Sequence, residues 1–146
     1  MNRLLNHCLS LLATVSLAAA ATNAPAEGRQ VIVKETLAVA PVWAGHPVGF
    51  ALLTRPPFQF VAFYDANRRL TLAQRRLTES NWSFHQLPIT TGWDSHNYLA
   101  LAADDEGYLH LSGDMHVVPL KYCRSARPHD ASSFEQFARM VGRDEE

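Results

Sequence analysis

The stretch WDSHNYLALAADDEGYLHLSGDMH, residues 93–116, carries three histidines, His96, His110 and His116, with Asp94 and Asp114 beside the outer two. Imidazole is the side chain that changes charge near neutral pH, so it can act as a proton acceptor, a proton donor or a metal ligand. His96 and His116 are the stronger candidates because both fall next to turn residues rather than inside a strand pattern. His110 sits in mid-strand and reads as a packed strand residue. Each of the outer pair also has a structural reading: His96 can cap a strand entrance by bonding the backbone around Asp94 and Asn97, and His116 can serve the turn at Asp114. Zinc ligation is a further reading for two histidines flanked by aspartates. No close His or Cys spacing supports it, so neither a metal nor a cofactor is expected.

The elements that must position these residues are short strands. VGFALLT (48–54), QFVAFYD (59–65), RLTLAQRRL (69–77) and NWSFHQL (81–87) are rich in β-branched and aromatic residues and are broken by RPP and ANR turns. This recurrence is the pattern of an all-β fold. Only SSFEQFARMVG, 132–142, reads as helical, with Ser132 or Ser133 as the cap and Phe134, Phe137 and Met140 on one face.

A repeat is the more telling signal. Aligning FALLTRPPFQFVAFYDANRRLTLAQRR with YLALAADDEGYLHLSGDMHVVPLKYCR pairs Phe50 with Tyr98, Leu53 with Leu101, Phe60 with Tyr108, Leu72 with Leu120 and Arg76 with Arg124, each 48 residues apart. A period of about 40–50 residues built from up-and-down strands is that of β-propeller blades, each a four-stranded antiparallel sheet. The expected blades are 48–88, complete, and 97–125, incomplete, with a two-halved β-sandwich as the competing architecture. In a blade, the loop entering the first strand and the loop joining the second and third open on the same face. His96 lies in the first kind of loop and His116 in the second. Their counterparts one repeat earlier are Val48 and Arg68, so the blade itself does not require histidine at either place.

The N-terminus fixes the expected compartment. Arg3, an apolar run from Leu9 to Ala21 and the small-residue exits AAA (18–20) and APA (24–26) form a secretory signal peptide over residues 1–26. The run is shorter than the roughly 20 residues a membrane span needs, and no second one follows, so a periplasmic or secreted protein without a membrane anchor is expected. Cys8 lies early in this segment, away from a lipoprotein cleavage position, and Cys123 is the remaining cysteine, so no intrachain disulfide can hold the mature chain. A net charge of −1 with mixed signs offers no basic face for nucleic acid and leaves the oligomeric state open.

The segment GWDSHNYLALAADDEGYLHLSGDMHVVPLKYCRS resembles the BNR-repeat-containing, neuraminidase-like family of exported bacterial propellers that includes the ulvan lyases; VGFALLT, FVAFYDANRRLTLAQRRL and MVGRDEE fit the same pattern. The W-D-S-H-N and G-D-M-H-V-V-P-L blocks carry the resemblance. The aspartate box of sialidases, Ser-x-Asp-x-Gly-x-Thr-Trp, is not present as such; residues 104–107 supply only a related turn. The resemblance implies a polysaccharide lyase acting on an anionic, uronate-containing glycan by β-elimination, with His96 and His116 as its catalytic histidines. Asn97, Trp93 and Arg124 are the candidate substrate-binding residues.

Such chemistry needs a base, an acid and a group that steadies the developing enolate. The family's completing tyrosine and arginine lie further along its chain, beyond Glu146. The chain is therefore expected to be an N-terminal, inactive fragment. Trp93, Tyr98 and Tyr122 could stack on sugar rings or fill a core, and Arg68, Arg69 and Arg124 could bind an anion or form a solvated face. A non-catalytic glycan-binding propeller and a truncated remnant are the alternative readings.

Overall fold

In the computed structural model, residues 32–45 and 49–140 are described. Contacts divide the chain into Met1–Lys34 and Glu35–Glu146, and the fold below belongs to the second unit. The proposed signal segment and Val48 lie outside the described residues.

Among the described residues, eight strands form two four-stranded antiparallel sheets. The first sheet is β1 (Phe50–Arg55), β2 (Phe58–Tyr64), β3 (Arg69–Arg76) and β4 (Ser83–Thr90), in that spatial order. The second is β5 (Ala100–Ala103), β6 (Leu109–Ser112), β7 (Tyr122–Ser125) and β8 (Phe134–Phe137). Each strand pairs with the next in sequence, the meander of a propeller blade. Two pairs of the repeat fall on equivalent strands, Leu53 and Leu101 in first strands and Arg76 and Arg124 in third strands, whereas Tyr98, Tyr108 and Leu120 lie just outside the strands of the second sheet.

Alternation along the strands builds the core. Phe60, Ala62 and Tyr64 of β2, Leu70 and Leu72 of β3, and Leu87 and Ile89 of β4 turn one face toward Leu109 and Leu111 of β6 and Cys123 of β7. The two sheets are thus packed face to face, as neighbouring blades are. The intervening residues Val61, Phe63 and Ala73 form a second cluster on the other face with Val39, Ala40 and Trp82, so β2 and β3 are buried on both sides. Val42 extends this side by bridging to Asp65. Among the described residues no helix is long and apolar enough to cross a membrane.

In the described part of the expected helix, 132–140, one 3-10 turn, Ala131–Ser133, is followed by β8. The capping chemistry is present but belongs to Asp130, whose carboxylate accepts from the Ser132 amide at 2.8 Å. Beyond that turn the open edge of β7 offers unpaired backbone groups, and Phe134–Phe137 pairs with Ser125–Tyr122. Satisfying a strand edge outweighs the amphipathic spacing of a short segment. The second blade is consequently four-stranded rather than three-stranded.

Cys123 is buried in this core, and burial pushes its thiol up to about 11. Since the thiolate is the reactive form, we expect Cys123 to resist a disulfide reagent at about pH 8 in the folded protein and to react promptly in denaturant. Rapid labelling of the native state would contradict this placement.

Candidate functional site

Two loops at one end of the second blade make the site. The first, between β4 and β5, begins at Thr91, whose amide donates to the Arg68 carbonyl (2.9 Å) and whose hydroxyl donates to Asp114 Oδ1 (2.9 Å). Asp94 then folds the loop back: its Oδ1 accepts the His96 amide at 2.8 Å, an Asx turn of the kind the residue type favours. Asn97 locks this turn from inside. Its Nδ2 donates to the carbonyls of Asp94 (2.7 Å) and Gly92 (3.4 Å), and its side chain is buried.

The second loop joins β6 to β7 and carries His116. Gly113 is needed at its start, because a Cβ there would collide with Leu99 and crowd the Tyr64 hydroxyl. Asp114 follows in the left-handed region (φ 54°), which aspartate tolerates. It is held by three partners: its amide donates to the Tyr64 hydroxyl (2.7 Å), and its carboxylate takes the Thr91 hydroxyl and pairs with Lys121. Burial pushes the Tyr64 phenol up to about 12, with the Asp114 amide partly opposing that rise. Tyr64 is therefore a neutral anchor at ordinary pH. Val117, β-branched and also at positive φ (55°), stores strain one residue after His116.

The loops bring the histidines together. The His96 and His116 rings lie 4.1 Å apart between centroids, inclined by 37°. His96 Nδ1 is 2.8 Å from Asp94 Oδ1, and His116 Nδ1 bonds the other oxygen, Asp94 Oδ2. The bond from His116, then the His96 amide and the His96 ring, hold the Asp94 carboxyl well below the ordinary carboxylate range. Both rings remain open to solvent, their side chains 54% and 42% exposed. The ligand atoms of Asp94, His96 and His116 lie within 4.8 Å of one another, close enough to share a small divalent ion.

The other candidates separate. Trp93 is 72% exposed, with Trp43 edge-on at 5.4 Å and the Arg68 guanidinium over its ring at 5.8 Å. Arg68, the repeat counterpart of His116, thus joins the same end of the fold. Asn97 is brought beside the histidines, but its amide is spent inside the loop, which makes it a brace for the site.

Arg124 is not brought to the pair. It sits opposite His110 in the β6–β7 register and reaches the other end of the blade, 3.7 Å from Asp104 and 4.2 Å from the Tyr108 ring centre. Strand direction is the reason, since Asp104 lies in the β5–β6 turn and His116 in the β6–β7 loop. His110 is a network residue, with Nδ1 2.6 Å from the Tyr122 hydroxyl and Nε2 3.1 Å from Asp104. Asp94, as the shared partner of both rings, is what sequence reasoning missed. Its i, i+2 spacing to His96 signalled the backbone turn but not the contact across to His116.

Two antiparallel four-stranded blades, with the loops of His96 and His116 gathered at one end, define an all-β protein of the propeller class. The chain belongs to the BNR repeat-containing family, whose pattern matches residues 58–146. No curated protein sequence matches it. Among solved structures, the polysaccharide lyase Uly1 superposes with a TM-score of 0.56 at 17% identity, covering 83% of this chain and 34% of its own, a likeness of fold. A polysaccharide lyase family 25 ulvan lyase has 20% identity and a TM-score of 0.47, with 68% of this chain and 28% of its own covered. The same lyase bound to -[GlcA(1-4)Rha3S]- gives 19% and 0.46 over the same shares. The chain thus spans about a third of the length of Uly1.

Proposed function

We propose that the protein is an exported, carbohydrate-active propeller, periplasmic or secreted, whose intact form is a polysaccharide lyase acting on a uronate-containing anionic glycan. The observation that carries this reading is the convergence of His96 and His116, 20 residues apart in sequence, on one solvent-open point with rings 4.1 Å apart. In β-elimination one imidazole takes the proton beside the uronate carboxylate. The electron pair left behind forms the ring double bond as the glycosidic C–O bond breaks, and the second imidazole, entering the step as the imidazolium, gives a proton to the leaving oxygen. Two histidines side by side can fill the base and acid roles of that exchange. The family membership and the fold shared with a protein described as a polysaccharide lyase support the same class of chemistry.

A non-catalytic glycan-binding propeller is the second reading, favoured by the exposed Trp93 ring with Arg68 stacked on it, a surface suited to an anionic sugar. The test is product analysis with the full-length protein. Elimination leaves unsaturated uronate ends that absorb in the ultraviolet, and these are the expected products on an anionic polysaccharide. Binding with no such absorbance would select the second reading.

A further inference from the structure

A neutral imidazole carries one N–H, and the partner of one ring nitrogen decides what the other can do. The two polar networks of the second blade differ in this respect. At His110 both nitrogens are taken, one by Tyr122 and one by Asp104, so that ring has nothing left to offer a ligand. At His96 and His116 the ring hydrogen bonds fall on Nδ1, and both reach the same carboxylate, one oxygen each. An ionised carboxylate only accepts hydrogen bonds. Each Nδ1 must therefore carry a proton, which leaves Nε2 as the outward nitrogen, a lone pair in the neutral ring and an N–H donor in the imidazolium.

We propose that Asp94 is the positioning residue of the site: through its two oxygens it holds both histidines in the Nδ1–H tautomer, so that the two Nε2 atoms are the working nitrogens. The role of those nitrogens in elimination rests on the acid–base reading above; the tautomers do not. The carboxylate is itself fixed, because Oδ1 also receives the His96 amide and the loop is locked by Asn97. One short side chain thereby aligns residues from two loops. Sharing one carboxylate also ties the orientation of each ring to the other.

Asp94→Asn is the discriminating variant. Asparagine matches the shape and can keep the Asx turn, but it presents one acceptor oxygen and one NH₂ donor in place of two acceptors. At most one ring can then keep the Nδ1–H arrangement, and the other must swap its proton to Nε2. Nitrogen-15 spectra of histidine-labelled full-length protein read this directly. We expect both rings as Nδ1–H in the parent at alkaline pH and one as Nε2–H in the variant. In kinetics we expect kcat to fall by about 10²- to 10⁴-fold, the scale of a wrong-tautomer defect, with KM little changed.

Nε2–H rings in the parent, or unchanged tautomers in Asp94→Asn, would overturn the proposal. So would a kcat within about threefold of the parent. Loss of parental activity on treatment with a chelator would also overturn it, because an ion would then occupy the place assigned to two protons. If no unsaturated product forms at all, the lyase reading fails, while the spectra still decide what Asp94 does.

Discussion

Replacing His96 or His116 by alanine in the full-length protein is expected to reduce the rate of elimination by about 10²- to 10⁴-fold, the contribution typical of one positioned acid–base group. Both side chains are about half exposed and lie outside the apolar clusters, so neither truncation opens a cavity. Thermal unfolding should therefore move little. Because the two histidines serve one proton exchange, the double variant should be scarcely slower than the worse single one, since groups acting as a unit are not additive. A loss below about tenfold at both positions would instead favour the glycan-binding reading.

Much of this arrangement is legible in the residues. The 48-residue repeat marks the recurrence of a strand meander, with Leu53 and Leu101 in first strands and Arg76 and Arg124 in third strands, and blade topology alone places the loops of His96 and His116 at one end. Local patterns served less well where tertiary pairing decides the outcome. SSFEQF has a helix cap and an amphipathic spacing, yet the edge of β7 takes it as a strand. Arg124 lies close to His116 in sequence, but the direction of β7 carries it toward Asp104 instead. The hub of Tyr64, Thr91, Asp114 and Lys121 joins residues up to 57 positions apart. No spacing rule links them, because the contact exists only once the two blades are packed. Asp94 shows the same limit: its turn to His96 is local and readable, whereas its bond to His116 depends on where a second loop returns.

That dependence gives the packing between blades a measurable link to the site. Phe60 lies at the centre of β2 with no exposed surface, on the face that meets Leu109 and Leu111 of the second blade. Its neighbour two positions along that face, Ala62, is followed by Tyr64, the residue that holds the Asp114 amide and hence the turn bearing His116. Phe60→Ala removes a large ring from a face that small neighbours such as Ala62 cannot refill. We expect a loss of about 3–5 kcal/mol, the range for Phe-to-Ala changes in a packed core. The measurement is the shift in urea midpoint at unchanged slope, which separates lost stability from a change in the state being unfolded. Phe84→Ala is the matched comparison, because Phe84 is half exposed on β4 and outside both clusters, and it should cost well under half as much. Beyond the midpoint, the ring signals of His96 and His116 should lose their separate environments together with the core, since the two loops have no means of meeting once the sheets part. A Phe60→Ala shift worth less than about 1 kcal/mol would mean that the blades are not packed through this face.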